Sequence, residues 1–168
     1  MKIVVLNGSP RAEGNTAAHV EAFAKGASAK HDVCVLPVGT MNIGPCKACA
    51  ACFKNGGKCV QEDDMEKVTA ALKEADMVVF ASPIYYHSIS GQLQNVISRF
   101  FAIGKPSAAK YALFLSSGSD GVYDAAVWQY RKNVEYFKAE DMGVFCAYGA
   151  LNKSEEFLKK MEDFGASL

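Results

Sequence analysis

The chemically capable residues nearest the start of the chain form one polar segment, residues 8–16. This segment follows a short apolar run at residues 3–6, whose β-branched side chains are typical of a strand buried in a parallel sheet. Asn15 and Thr16 stand just before a helical pattern and are predicted N-cap residues. Because a helix start offers unpaired amides and a positive dipole end, the segment is predicted to bind a phosphate group. Its predicted contributors are Ser9, Arg11, Gly14, Asn15 and Thr16.

The glycine spacing of this loop excludes two common nucleotide-binding motifs. Five residues separate Gly8 from Gly14, and Asn15 stands where a nucleotide-hydrolysing P-loop needs a lysine. The chain also has no G-x-G-x-x-G motif, so a dinucleotide pyrophosphate is not expected on this turn. The alternative that remains is an ordinary strand–helix turn with a good cap.

Aromatic and small residues mark two further loops that could receive a planar ligand. The predicted loop at residues 82–90 begins S-P-I-Y-Y, which places two aromatic rings after a predicted strand, and the predicted loop at residues 116–122 combines two glycines with three serines. The predicted ring contacts are Pro83, Ile84, Tyr85, Tyr86, Ser117 and Gly118. The alternatives are that the tyrosines cover the core and that the second loop is a plain turn. His87 is a candidate donor to a substrate or a solvated loop residue.

Four of the six cysteines lie in a long segment without clear periodicity, residues 38–62, which we call the cysteine segment. They are spaced C-x2-C-x2-C-x6-C and comprise Cys46, Cys49, Cys52 and Cys59. Four thiolates at this spacing are typical of a four-iron cluster, and they also satisfy structural zinc. Reduced thiols that only shape the loop are the main alternative to the cluster. The remaining Cys34 and Cys146 are predicted core residues of apolar strands.

Short apolar runs alternate with helical stretches, which predicts one α/β domain over residues 1–168. The predicted strands are residues 2–7, 32–37, 77–82, 110–116 and 143–149. The predicted helices are residues 14–29, 63–75, 89–102, 121–139 and 153–164. Asn152 and Glu155 resemble a capping box that opens the last helix. Five such strands predict a flavodoxin-like three-layer sandwich with a parallel sheet in the order 2-1-3-4-5, whose ligand lies beyond the carboxyl ends of strands 1 and 3.

The bulk composition narrows the classes of partner. Eighteen basic residues balance 18 acidic residues in a chain of 168, so neither nucleic acid nor an anionic membrane is an expected partner. No apolar run reaches the length of a membrane span, and the apolar start is too short for a signal peptide. The expected location is the cytoplasm, where six cysteines are not expected to form structural disulfides.

Three motifs, in order along the chain, resemble the NADPH-dependent FMN reductase and iron–sulfur flavoprotein families. They are G-S-P-R-A-E-G-N-T at residues 8–16, the cysteine segment, and S-P-I-Y-Y followed by G-Q-L at residues 91–93. The resemblance implies bound FMN, with residues 84–86 hydrogen-bonding the polar edge of the isoalloxazine. It also implies an enzyme that passes electrons from NAD(P)H, or from a ferredoxin-like protein donor, to a small acceptor such as a flavin or quinone. No catalytic side chain is expected, because the flavin carries the chemistry.

The same resemblance keeps a second function open. An iron–sulfur flavoprotein with a 4Fe–4S cluster on the four cysteines would act as an electron carrier or redox sensor for a protein partner. The resemblance further implies a homodimer or homotetramer. An apolar rim predicted on the monomer supports this assembly, and it consists of Tyr85, Tyr86, Phe100 and Phe101.

Overall fold

The computed structural model describes residues 1–168 and contains a parallel sheet of five strands with one short antiparallel addition. The strands are β1 (Lys2–Asn7), β2 (Asp32–Leu36), β3 (Met77–Tyr85), β4 (Ser88–Ile89), β5 (Lys110–Ser117) and β6 (Glu140–Tyr148). The parallel strands follow the order β2-β1-β3-β5-β6, and the two-residue β4 pairs antiparallel with β3. Apart from β4, this is the predicted order 2-1-3-4-5, so the predicted flavodoxin-like topology is confirmed.

Five helices cover the two faces of the sheet. They are α1 (Asn15–Ala27), α2 (Met65–Lys73), α3 (Gly91–Arg99), α4 (Asp124–Phe137) and α5 (Glu155–Ser167). Successive side chains of a strand point to opposite faces, so Ile3 and Val5 pack with α1 and α5, whereas Val4 and Leu6 pack with the other three helices. The result is the predicted three-layer sandwich. None of the helices combines the length and the apolar character needed to cross a membrane.

The burial of three residues, Cys34, Cys146 and Phe100, differs from the burial predicted for them from the sequence. Cys34 is exposed, so its prediction as a core residue is wrong; β2 is an edge strand that pairs only with β1 and remains partly exposed along its length. Cys146 is half-buried, and its burial raises the pKa of the thiol to about 11. Phe100 packs into the core and therefore cannot belong to the predicted apolar rim, whereas Phe101 is half-exposed.

The start of α5 also differs from its predicted capping box. Ser154 is the N-cap residue, and its hydroxyl accepts a hydrogen bond from the amide of Phe157 at 3.2 Å. Asn152 lies two residues earlier in a short 3-10 turn and is fully buried. A serine next to the helix is a favourable cap by itself, so the buried Asn152 amide is left to bond elsewhere.

Candidate functional site

Residues 8–16, which we call the phosphate loop, are held in shape by hydrogen bonds within the loop and to Asn7, the residue before it. The amide of Ser9 donates to Asn7 Oδ1 at 3.0 Å, and the Ser9 hydroxyl donates to the carbonyl of Arg11 while accepting from its amide, both at 3.2 Å. Ser9 is buried, whereas the Arg11 side chain is exposed and has no ion-pair partner. Ser9 therefore shapes the loop, and Arg11 is the unpaired cation beside it.

The first turn of α1 presents backbone amides that no protein group satisfies. Gly14 is the N-cap residue, no side chain caps the helix, and the first turn contains no acidic residue. The prediction that Asn15 and Thr16 cap the helix is therefore wrong, because both already lie inside it. The amides without a protein acceptor belong to Asn15, Thr16 and Ala17 in this turn and to Ala12 and Glu13 in the loop just before it. An uncapped helix start with this many free donors suits an anion such as phosphate.

The phosphate loop packs closely against the loop that follows β2. The amide of Gly39 donates to the Asn7 carbonyl at 2.9 Å. A Cβ atom built on Gly39 would lie only 2.0 Å from the carbonyl oxygen of Ser9, so this position has no room for a side chain. The phosphate loop is thus positioned by a contact that a sequence pattern does not reveal.

The second predicted loop is bonded directly to the phosphate loop. The buried Ser90 hydroxyl donates to the Gly8 carbonyl at 2.8 Å, and the Ser90 amide donates to Ser82 Oγ at 2.8 Å. Ile84 is half-buried, while Tyr85 and Tyr86 are 46% and 100% exposed. The alternative that these tyrosines cover the core is therefore wrong, and both rings are available at the carboxyl-terminal edge of the sheet.

The third predicted loop, residues 116–122, meets the phosphate loop through a pair of buried hydroxyls. Thr16 Oγ1 and Ser116 Oγ lie 2.7 Å apart, and both residues are almost completely buried. The Ser117 hydroxyl hydrogen-bonds with the hydroxyl of Tyr123 at 2.7 Å. The amides with no protein acceptor in this loop belong to Gly118, Ser119, Asp120 and Val122. The structure therefore brings all three predicted loops together at one edge.

Asn152 and His19 link these elements and were missed by sequence reasoning. The Asn152 side-chain amide donates to the carbonyls of Ser117 and Gly149, each at 2.9 Å. His19, on α1, bonds through Nε2 to the Asn152 carbonyl at 3.0 Å, and burial lowers the pKa of His19 to about 4. The neutral imidazole thus donates to this carbonyl. The bond joins residues 133 apart in sequence, so no local motif could have indicated it.

The cysteine segment is fastened to the side of α3 by three residues, which we call the α3 clamp: Asn95, Ser98 and Arg99. The Asn95 side chain donates to the Ile43 carbonyl at 3.0 Å, and Ser98 Oγ accepts from the Cys46 amide at 3.2 Å. Arg99 is 2% exposed and donates to the Gly44 carbonyl at 3.0 Å. The clamp therefore fixes the segment where the cysteines begin.

Arg99 also reaches the far end of the cysteine segment. Its guanidinium donates to both carboxylate oxygens of Asp63, at 2.7 and 3.2 Å. Burial opposes ionisation of Asp63, but Arg99 and the amides of Met65 and Gly44 outweigh it and hold the pKa of Asp63 below its usual value. Burial likewise opposes ionisation of Cys59, and the Gln61 amide together with Arg99 lowers the pKa of this thiol.

The four thiols themselves are not gathered into a metal site. Cys52 is buried, Cys46 and Cys59 are half-buried and Cys49 is exposed. No three Cys, His, Asp or Glu side chains of residues 1–168 are grouped so that they could hold a metal ion. Between the cysteines, Ala48 and Ala50 have φ of +52° and +57°. The predicted cluster ligands thus share one segment but not one centre, and this geometry does not fit a cluster.

The cysteines also lie farther from the phosphate loop than the strand order suggests. The segment begins near the phosphate loop, but Cys46 contacts Ser98, eight residues along α3 from Ser90. That spacing corresponds to about 12 Å of helix. The chain therefore leaves β2 beside the phosphate loop, and the α3 clamp then places Cys46 towards the other end of the helix.

Comparisons with known proteins agree with this fold. The curated relatives include an iron–sulfur flavoprotein of Archaeoglobus fulgidus, 33% identical over 105 residues, which is 62% of this chain and 47% of that protein. Iron–sulfur flavoprotein MJ1083 of Methanocaldococcus jannaschii is 35% identical over 100 residues, 59% of this chain and 51% of that protein. The matched region therefore spans about half the length of these relatives.

A solved structure and a family model extend the match over more of the chain. The NAD(P)H:quinone oxidoreductase of Methanothermobacter marburgensis superposes with a TM-score of 0.77 at 14% identity, covering 99% of this chain and 96% of that one, which shows the shared fold. The model of NADPH-dependent FMN reductases matches residues 1–149. The chain therefore belongs to the NADPH-dependent FMN reductase family.

Proposed function

We propose that this protein is an FMN-dependent oxidoreductase that passes electrons from NAD(P)H to a small acceptor. The observation that carries the proposal is the uncapped first turn of α1, whose free amides face no protein acceptor. A phosphate monoester is the part of FMN that such a helix start would hold. The family membership supports the same ligand.

The proposed FMN site divides into a phosphate part and a ring part. The phosphate would be held by the amides of the phosphate loop, with Thr16 beside them and Arg11 as a flexible charge. The ring would lie between the backbone of residues 83–86 and the third loop, where the amide of Gly118 is free and Ser117 is fixed by its bonds. Bound FMN supplies the redox chemistry, while this chain binds and orients it and leaves one ring face open.

The proposed reductant is NAD(P)H, and the proposed acceptor is a flavin or a quinone. A ferredoxin-like protein would be an alternative electron donor. The flavin would carry this chemistry, so the proposal requires no acid–base pair of side chains.

Visible spectroscopy combined with turnover tests this proposal directly. The purified protein should show the flavin absorption bands, or acquire them on addition of FMN, and should then oxidise NADH or NADPH in the presence of a panel of quinones. A protein that binds FMN but turns over with none of them would be an electron carrier and not a reductase. A protein that never binds FMN would contradict both functions.

The iron–sulfur electron carrier or redox sensor is the second candidate function. Its support is the spacing of Cys46, Cys49, Cys52 and Cys59 together with the names of the relatives. The separation of the thiols in the structure argues against an iron–sulfur cluster. Iron and sulfide analysis of protein expressed anaerobically with added iron distinguishes the two functions, with Cys49→Ala as the matched variant. Stoichiometric iron and sulfide that disappear in Cys49→Ala would favour the carrier, and flavin without iron would favour the reductase.

We also propose that the protein assembles as a homodimer or homotetramer. Tyr85 and Phe101 expose large aromatic surfaces, which a second copy could cover. Sedimentation at micromolar concentration checks this assembly. A species of monomer mass alone would contradict it.

A further inference from the structure

The tip of the β3–β4 hairpin is strained. The two strands pair through Ile84–Ile89 and Tyr85–Ser88, which leaves Tyr86 and His87 as a two-residue turn. Both turn residues have positive φ, +49° and +65°. Hairpin turns with two positive φ angles favour Asn-Gly, because residues with a Cβ are disfavoured in the left-handed region. Tyrosine and histidine therefore occupy this turn against the local backbone preference.

A well-bonded base holds the tip in this conformation. Ser82 Oγ accepts from the Ser90 amide, and the Ser90 hydroxyl donates to the Gly8 carbonyl. The Gly8 amide in turn donates to the Ala81 carbonyl at 2.8 Å. Because these groups are buried, the hairpin is fixed to the phosphate loop, and its tip extends beyond the same edge of the sheet.

The side chains at the tip do little for the fold itself. Tyr86 is 100% exposed, so its ring packs against nothing in the chain, and His87 is exposed as well. Ile89, at the base of the same hairpin, is buried in the core. Backbone strain that no internal contact offsets concentrates at ligand-contacting sites. We therefore expect these two side chains to contact another molecule and not another part of the chain.

We infer that Tyr86 and His87 bind the molecule that reacts with the flavin, a planar ring that carries a carbonyl group. This inference rests on the proposed FMN function. Nicotinamide and quinone share this chemistry: Tyr86 offers a ring face for stacking, and the His87 imidazole offers a donor to the carbonyl. The segment before the tip and the backbone amide of Tyr86 remain with FMN, while the two exposed side chains select its reaction partner.

The experiment compares two variants that each relax a positive φ. The double variant Tyr86→Asn, His87→Gly installs the favoured turn, and Lys138→Gly relaxes the exposed left-handed C-cap of α4 far from the loops. Both should raise Tm by a few degrees. Stopped-flow absorption then follows flavin reduction by NADH or NADPH and flavin reoxidation by p-benzoquinone as separate reactions.

The inference predicts that the double variant keeps its FMN affinity but slows at least one of the two half-reactions by about tenfold or more, while Lys138→Gly slows neither. The half-reaction that slows identifies whether nicotinamide or quinone is the bound ring. If both rates stay within about twofold of wild type, the tip has no role in substrate binding and the inference is wrong. Loss of FMN affinity in the double variant would assign the tip to the flavin and overturn it. Absence of FMN from the wild type would overturn the proposed function, and this inference with it.

Discussion

The phosphate loop and the cysteine segment both follow strands of the sheet, yet the structure prepares them to different degrees. The phosphate loop is closed by its own hydrogen bonds and ends in free amides that already point to one ligand class. The cysteine segment is fastened near both ends by Arg99, while its thiols remain ungathered around the strained Ala48 and Ala50. The backbone donors of the phosphate loop are thus in place without a ligand. The thiols of the cysteine segment are not, because they are side chains carried on a long loop.

The two regions differ because different interactions stabilise them. The phosphate loop lies between β1 and α1, and Gly39 packs against it so closely that no side chain fits. The cysteine segment contains a single 3-10 turn, Ala51–Phe53, and depends on a buried ion pair. Apart from Gly39, where the start of the cysteine segment contacts the phosphate loop, the two regions should therefore respond separately to substitution and to pH.

The largest effect is expected when the α3 clamp is broken. Arg99→Met leaves the Asp63 carboxylate, whose side chain is 9% exposed, without its partner, and should lower the free energy of unfolding by about 3–5 kcal/mol. FMN affinity at a temperature where the variant is folded should stay close to that of wild type. Urea denaturation and FMN titration measure the two quantities.

The control for the clamp is Lys25→Met, which removes an exposed ion pair with Glu162 and should change stability by less than about 1 kcal/mol. If folded Arg99→Met lost its FMN affinity, the two regions would be coupled, and the contrast between them would be wrong.

The next largest effect is expected from pH, because the two regions should lose stability in different pH ranges. Burial lowers the pKa of His19 from 6.5 to about 4, so the unfolded chain binds this proton first as the pH falls. The stability from neutral His19 is fully present above pH 6.5 and is lost progressively towards pH 4, on the order of 3 kcal/mol in total. The pKa of Asp63 lies below its usual 3.8, so the clamp should weaken only at lower pH. Thermal unfolding between pH 7 and pH 3 measures both.

His19→Gln is the matched variant for the titration, because its amide can donate to the Asn152 carbonyl but does not titrate between pH 4 and 7. Its Tm should change less than that of wild type over this range. Equal slopes for the two proteins would remove His19 as the source of the pH dependence.

The third effect is expected when a side chain is introduced at Gly39, where the chain packs against the phosphate loop. Gly39→Ala places a Cβ against the Ser9 backbone and should cost about 1–3 kcal/mol of stability, with FMN affinity reduced by tenfold or more. Gly44→Ala is the control five residues further along the same segment, since its Cβ would meet nothing closer than 3.6 Å. Isothermal titration with FMN and thermal unfolding compare them. Equal FMN affinities would show that the loop does not depend on this packing.

Arg11→Ala should have the smallest effect. The side chain is exposed and the free amides supply most of the donors, so loss of its charge should weaken FMN by about twofold to fivefold, or roughly 0.4–1 kcal/mol. Titration of FMN at low and high salt checks this value, because the contribution of an exposed charge is screened by salt. A loss of a hundredfold would mean that Arg11, and not the backbone, holds the phosphate.

The sequence predicts the local parts of this molecule well. Alternating apolar runs and helical patterns yielded the strand order, and the step from residues 3–6 to α1 predicted the phosphate loop, because neighbouring residues alone build it. Ser90, Asn152 and Arg99 could not be assigned their roles in this way. Their partners are 82, 35 and 36 residues away, and a short pattern carries no information about such contacts.

The cysteines show the same limit in another form. Their spacing predicts how many thiolates a ligand could use, but the positions of the thiols depend on the α3 clamp and on the burial of Cys52. Cys34 was misplaced for a related reason, since an apolar strand pattern does not reveal that β2 lies at the sheet edge.

The central claim is that the free amides at the start of α1 hold the phosphate of FMN, and a comparison of FMN with riboflavin tests it most directly. The two ligands share the ring and differ in the phosphate, and each charge-assisted hydrogen bond to a phosphate contributes about 1.5–3 kcal/mol. Fluorescence titration of the apoprotein should therefore show FMN binding about a hundredfold or more tighter than riboflavin. Equal affinities for the two ligands would contradict the account.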